Sequence, residues 1–436
     1  MSPPSILISI LHQFHASFGM QQFWNPAASR RSLATWLWVF GILAWLSQAN
    51  AAPFLNRTPI FEPEGWHNHG SCLVETPKGD LLACWFHGSG ERKADDVIIE
   101  GARLRKGTRT WGPRFLLSDT PGYSDGNPCL FVDPHQRLWL IHTTILAHTW
   151  ESALLKSFVS RDYDARDGAP RWESSKVIHI SPGPEFESTV HATLPRMEAI
   201  VNGLDPAARA RAHADDYLVA MRQHVTNELY RRLGWMTRAH PVVLDGKRLI
   251  LPLYHDGFSF SLMAISDDWG GTWHTSTPLI GGGNIQPSVA VRKDGSLYTL
   301  MRDNGPPPGR LMQADSRDRG ESWGPVTDSE LPNPGAGSEV ITLRNGDWMV
   351  IGNDTEQGRH SLVVWLSTDE GRSWKWKRAI ERRGEGQGSF HYPSLIEAAD
   401  GTFHASYSQF LPAAGRESKT IVHAHFNREW VVQSAP

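Results

Sequence analysis

Cysteine is nearly absent from this chain, with 3 in 436 residues. Cys72, Cys84 and Cys129 fit no metal-ligand spacing, so a dedicated cysteine metal site is excluded. Cys72 and Cys84 flank a turn at Lys78-Gly79-Asp80 and are candidate cross-strand neighbours. A disulfide is open to them in an oxidising compartment, and buried free thiols are the simpler reading. Charge of one sign is also missing. A formal net charge of −3 leaves no basic footprint, so nucleic acid is not an expected partner. Nor is there a membrane-length apolar run. The longest, Leu33 to Leu46, is fourteen residues, against about 20 for a spanning helix. It follows Arg30-Arg31 and precedes Ala49-Asn50-Ala51, the order of basic start, apolar core and small-residue cleavage site in a secretory leader. Residues 1–51 therefore read as an N-terminal extension and signal peptide. The remainder, 52–436, is expected in the periplasm or outside the cell, with membrane contact only through an uncleaved leader. Tyrosine is scarce beside tryptophan, 8 against 19. The broad indole face suits packing between sheets and stacking on sugar rings, and packing is the default.

What the chain does contain is a repeat. "SDDWGGTW" (Ser266–Trp273) recurs as "SRDRGESW" (Ser316–Trp323) and "STDEGRSW" (Ser367–Trp374), with starts 50 and 51 residues apart. The shared pattern is Ser-x-Asp-x-Gly-x-Ser/Thr-Trp, and eroded copies end at Trp111 and Trp172. Between the boxes lie strand-like runs joined by short turns: Pro77–Asp80, Asp133–Gln136, Asp245–Lys247, Lys293–Ser296, Arg344–Asp347 and Ala399–Thr402. Most carry Asp-Gly, Asn-Gly or Lys-Gly, the chemistry of tight hairpins. Six antiparallel units of this kind predict an all-β, six-bladed β-propeller. One segment breaks the rhythm. Residues 204–234 predict a helical insertion between the second and third blades, with Asp205 as cap, Pro206 in the first turn and Gly234 as terminator.

In a four-stranded blade the 1–2 and 3–4 connections share one face of the propeller. The boxes fall on that face, where Ser266, Asp268, Trp273, Ser316, Asp318, Trp323, Ser367, Asp369 and Trp374 are read as structural. Their Ser and Asp side chains can bond their own turn while each Trp packs. The starts of the first strands and the 2–3 loops share the opposite face. Their inventory is polar: His67, His69, Asn127, Arg238, His240, Gln286, Glu339, His391 and Tyr392 from strand starts. The loops add Glu91, Asp95, Tyr254, Asp256, Arg302, Asp303 and Arg359. Such a ring suits a polyhydroxylated, anionic ligand.

The boxes, with "QPS", "MRDNG" and "HYPS", resemble the sialidase (neuraminidase)-like, BNR/Asp-box propellers over roughly Phe54 to the end. The resemblance implies two arginines, Arg302 and Arg359, on a substrate carboxylate, a role suited to the planar guanidinium fork. It implies Tyr392 as nucleophile, and Glu91 or Asp95 as acid–base. Two positions depart from the family pattern. The Arg-Ile-Pro motif that supplies a first arginine is absent, Arg57 is a poor substitute, and His67 and His69 occupy its neighbourhood. Gln286 stands where a glutamate would activate the tyrosine, and an amide cannot take the phenol proton, so His391, His67 or His69 is a candidate base.

Three functions follow as expectations. One is an exported exo-glycosidase removing a terminal acidic sugar such as sialic acid. Another is a lyase or unusual glycosidase on a uronate-containing glycan, with His67 or His69 as base. The third is a glycan-binding propeller without catalysis. His69, Asp303, Asn127, Arg238 and His391 are candidate substrate contacts beside the two arginines. No cofactor and no metal site are expected.

Overall fold

The computed structural model describes residues 51–433, leaving out 165, 212, 414 and 415. Apart from Ala51, the predicted leader lies outside the described residues. The unit Pro53–Pro436 is built on six antiparallel sheets. The first blade follows β1 (Leu55–Pro59) and holds β2 (His67–Glu75), β3 (Leu81–Gly88), β4 (Ile98–Leu104) and β5 (Phe115–Ser118). The second holds β6 (Ser124–Val132), β7 (Leu138–Ile145), β8 (Ala153–Ser160) and β9 (Ser174–Val177). In the third, the inner strand is broken into β10 (Trp235–Met236) and β11 (Val242–Leu244), both paired with β12 (Arg248–His255). β13 (Phe260–Ser266) and β14 (His274–Thr275) complete it. The fourth blade runs β15 (Asn284–Val291), β16 (Leu297–Asp303), β17 (Arg310–Ser316) and β18 (Thr327–Pro332). The fifth runs β19 (Glu339–Thr342), β20 (Trp348–Gly352), β21 (Ser361–Ser367) and β22 (Trp376–Arg382). In the sixth, β23 (Ser389–Glu397), β24 (Phe403–Ala413) and β25 (Arg416–Phe426) are completed by β1 from the start of the unit. That pairing closes the ring and leaves β25 with no free edge. A short α-helix near the end, Arg428–Val432, packs on the fifth blade.

The six predicted turns all lie between first and second strands. Each places a residue at positive φ, glycine in five and Gln136 in "DPHQ". In the boxes, Ser266 Oγ donates to Asp268 (2.9 Å) and accepts the Gly270 N–H (2.8 Å), while Asp268 accepts both the N–H and hydroxyl of Thr272. The same set recurs at Ser316/Asp318 and Ser367/Asp369. Trp273, Trp323 and Trp374 pack against the apolar layers between blades. Trp111 and Trp172 also follow third strands, so the eroded copies share that position.

The insertion differs from the sequence expectation. It opens with α1 (Glu185–Asn202), a helix that precedes the 204–234 window and carries Pro195 inside it. The window itself is not one helix. It divides into α2 (Pro206–Arg211), α3 (Ala214–Val219), a π turn (Ala220–His224) and α4 (Glu228–Arg232). Asp205 does cap α2 by accepting the Ala208 N–H, and Gly234 takes φ 82° after α4. The sequence of the window sets Leu218, Met221, Val225, Leu229 and Leu233 at a 3.6-residue spacing; of these Leu218, Met221 and Val225 are buried, Leu233 is half-buried and Leu229 is exposed. The helix breaks at Asn227, whose extended backbone caps α4, so the apolar face does not continue to Leu229. Phe186, Val190, Met197 and Val201 of α1 join that buried layer on the third blade.

Candidate functional site

The inner strands around the axis carry a recurrent backbone device. In β2, β6, β15 and β23 the pairing register shifts, and Gly70, Asn127, Gln286 and Tyr392 sit at the shift with φ of 62°, 50°, 52° and 46°. Such bulges re-aim a side chain and interrupt pairing. Proline follows Asn127, Gln286 and Tyr392, where no ladder donor is needed. A left-handed conformation is costly for non-glycine residues and concentrates at functional sites. Three such residues therefore mark one end of the axis.

Tyr392 is the centre of that end. Arg302 Nη1 donates to its Oη at 3.1 Å. Gln286 Nε2 lies 3.4 Å from the Oη of Tyr392 and of Tyr254, bridging the two phenols, and Asn127 Nδ2 donates to Tyr254 at 3.1 Å. The Tyr392 ring meets the His69 ring at 4.4 Å, with the guanidinium of Arg238 at 5.3 Å and that of Arg359 at 5.8 Å. Arg359 donates to Gly335 O (2.6 Å) and to His391 Nδ1 (2.7 Å), which leaves the His391 Nε2–H to donate to Ser389 Oγ. Arg238 donates to Pro393 O and Arg302 also reaches Asn304. Among the described residues, none of these three guanidiniums is ion-paired with a carboxylate.

Burial sets the protonation of the groups around them. It pushes the Glu91 carboxyl up, reinforced by the charge of Asp256, and it carries Asp256 itself to about 6. Burial, with the Asp256 charge, likewise holds the Tyr254 phenol protonated. His69 and His391 lie well below the usual histidine range, first through burial and then through neighbouring cationic groups, and His67 falls to about 4. All three are neutral near pH 7. Their rings and Phe410 form an aromatic wall beside Tyr392.

The predicted residues divide by position. Tyr392, Gln286, Arg302, Arg359, His69 and His391 converge, and Glu91 faces Arg302, Arg359 and Asp256. Asn127 joins through Tyr254. Arg238, 3% exposed, lies against the Tyr392 ring and supports it from behind. Asp95 is paired instead with His148 at 2.6 Å, both about half exposed. Asp303 holds its own loop by accepting from the N–H groups of Gly305 and Arg310. Arg57 lies on the outermost strand of the last blade and pairs with Glu381 at 2.7 Å, too far out for the axis. Tyr254 and Asp256, read from the sequence as members of the polar ring without a role, have central places. The signal that finds the core of the site is the recurrent Asn-Pro, Gln-Pro and Tyr-Pro in first strands.

Further down the axis His240 Nδ1 meets Glu339 at 2.7 Å, and its Nε2 faces Leu73 O (3.0 Å) and Cys72 Sγ (3.3 Å). Both ring nitrogens face acceptors, so the ring is held as imidazolium, its pKa raised well above normal by Cys72 and Glu339 against the cost of burial. Cys72 and Cys84 are cross-strand partners, and all three cysteines are free and buried. Among the described residues no group of three or more His, Cys, Asp or Glu is arranged to hold a metal ion.

Six blades, Asp-boxes on one face and a ring of polar side chains on the other define a sialidase-like propeller. The chain belongs to the BNR repeat-like domain family, whose model matches residues 79–200 and 221–405. Among curated proteins none matches significantly. Solved structures share the fold at low identity. The NanB sialidase from Streptococcus pneumoniae is 12% identical with a TM-score of 0.62, over 86% of this chain and 71% of that one. The intramolecular trans-sialidase from Ruminococcus gnavus is 14% identical with a TM-score of 0.60, over 85% and 96%. An α-L-arabinanase from Penicillium chrysogenum is 15% identical with a TM-score of 0.51, over 86% and 98%. The fold is one that glycosidases use.

Proposed function

We propose that the chain is an exported glycoside hydrolase that removes a terminal acidic sugar, such as sialic acid, at the Tyr392 end of the axis. The observation that carries this reading is three guanidiniums around one phenol, Arg238 buried and Arg302 and Arg359 half-buried, without a carboxylate partner. An unpaired buried charge is costly, and a bound carboxylate relieves that cost. Arg302 and Arg359 hold the sugar carboxylate, and Arg238 supports the tyrosine. Glu91, whose raised pKa favours the protonated form, donates a proton to the departing glycosidic oxygen, with Asp256 beside it. Tyr392 Oη attacks the anomeric carbon as its proton passes to neutral His69 or His391, and the Arg302 guanidinium beside it stabilises the charge developing on the phenol oxygen; water then cleaves the tyrosyl–sugar bond, returning a proton to the phenol. Gln286 orients that oxygen without accepting its proton. The solved relatives include sialidases and an arabinanase, which supports glycan chemistry and leaves the sugar to experiment.

A second reading is favoured by one feature. His69 is neutral, its ring lies tilted against Tyr392, and its buried Nδ1 has no partner. In a lyase acting on a uronate glycan it would accept the α-proton while arginine neutralises the carboxylate. The test is a screen of the protein against sialosides and uronate oligosaccharides. Hydrolysis yields free acidic sugar with no new ultraviolet absorbance; a lyase yields an absorbing unsaturated uronate. Retention of a glycan without either product is the outcome for a binding protein.

A further inference from the structure

The first strand of the third blade is interrupted at residues 237–241, between β10 and β11, whereas each of the other five blades has a single first strand. The interrupted segment is tied at every turn. Arg238 Nη2 donates to Pro393 O at 3.0 Å, the carbonyl directly after Tyr392. His240 gives both its backbone N–H (2.8 Å) and its Nδ1–H (2.7 Å) to Glu339 Oε1. The other oxygen of Glu339 accepts the Leu395 N–H at 2.7 Å, and His240 Nε2 donates to Leu73 O at 3.0 Å. These contacts join the first strands of blades one, three, five and six, which share no ladder with one another. Two of them grip the chain just beyond Tyr392, where the β23–β24 register shifts between His391 and Ser394. Glu339 is 2% exposed, so its charge is costly unless paired. A stable axis does not need a buried ion pair, since apolar residues of similar volume serve stability as well or better. What a directional pair adds is a fixed position for the groups it bonds.

We propose that His240 and Glu339 are positioning residues for Tyr392, fixing through the Leu395 N–H the bulge that aims the phenol at Arg302. Among the described residues neither makes a hydrogen bond or ring contact with Tyr392, so both act through the backbone of β23. Arg238 completes the grip at Pro393 O, and the break in the third blade is what lets one segment reach the fifth and sixth. The substrate carboxylate is held by Arg302 and Arg359, from the fourth and fifth blades. A small displacement of the phenol therefore costs turnover and leaves binding largely intact. This inference rests on the reading of Tyr392 as the attacking group.

The experiment is a double-mutant cycle. One arm combines His240→Gln with Glu339→Gln, which removes both charges together and leaves neither buried alone; the other is Tyr392→Phe. On methylumbelliferyl glycosides of sialic and glucuronic acid, the charge-free pair should lower kcat about tenfold with KM within about twofold of wild type. In the Tyr392→Phe background the same pair should change kcat by less than about twofold, because the group it positions is gone. An equal fall in both backgrounds, a fall carried by KM, or no fall overturns the positioning role. Should the pair fail to fold by circular dichroism, Glu339→Asp takes its place in the cycle. It keeps the charges, draws the carboxylate back from Leu395, and is decided by the same outcomes. If wild type hydrolyses no glycoside, the hydrolase reading fails separately, and NMR of protein isotope-labelled at tyrosine decides the positioning. The Tyr392 signal, assigned by its loss in Tyr392→Phe, should move in the variant while that of Tyr163, beyond β8 on the box face, stays. An unmoved Tyr392 signal, or an equal shift of Tyr163, overturns it.

Discussion

Tyr392 holds a left-handed backbone at φ 46° while three guanidiniums crowd its side chain, so the molecule spends stability at this residue. The carboxyl groups nearby carry the same signature and make two predictions. Glu91 has a raised pKa, so it stays protonated to higher pH than an ordinary glutamate. In the proposed role of general acid it makes kcat/KM fall as pH rises through that value. In Glu91→Gln this alkaline limb should vanish and the rate drop by about 10²–10⁴-fold; a pH–rate profile checks both. Asp256 titrates near 6 in the folded state against 3.8 for the free side chain, so the folded protein keeps a proton that the unfolded chain releases. Its ionisation therefore costs stability as pH rises from about 4 through 6, up to about 3 kcal/mol. Asp256→Asn should raise the urea midpoint at pH ~8 and leave it unchanged near pH ~4. An equal gain at both values would remove Asp256 from the buried pocket.

Elements show where the sequence was readable. Boxes and turns were legible because their signals are local: a Ser and an Asp that bond their own loop need no distant partner. Asp268→Ala should cost about 1 kcal/mol, since its bonds are partly solvent-exposed, with kcat/KM unchanged. Denaturation and kinetics on that variant check this directly, and a loss of activity would contradict the structural role given to the boxes. The insertion was less legible. Pro195 masks α1 and the helix breaks at Asn227, so the 3.6-residue stripe extended past its real end. Arg302, Arg359 and Tyr392 could be named from resemblance. The place of Arg238 against the phenol could not, because it depends on a broken inner strand whose course is fixed by tertiary packing. Asp256 could be placed in the polar ring but its raised pKa could not, because its surroundings come from the first, second and fourth blades, whose Glu91, Glu151 and Arg302 act on it.

At the scale of the whole molecule, buried neutral histidines make the ring acid-sensitive. His255 and His404 are depressed to about 3 by burial, and His423 lies well below normal where it stacks on His404. The unfolded chain protonates these near 6.5 and the folded one resists. Their contribution to stability is present above that value and is lost progressively as pH falls towards 3. Thermal unfolding should therefore show a melting temperature falling steadily below pH ~6.5, and His404→Phe combined with His423→Leu should flatten that slope. The same closed ring, completed by β1, keeps the axial end rigid enough to hold Tyr392, Arg302 and Arg359 in one place. The account stands on that convergence. Its most direct test is kcat/KM on whichever acidic glycoside the protein hydrolyses, measured for wild type, Tyr392→Phe and Arg302→Ala. The prediction is a fall of about 10²-fold or more in both variants, with folding intact by circular dichroism. Hydrolysis unchanged in both variants would contradict it and move the site elsewhere on the propeller.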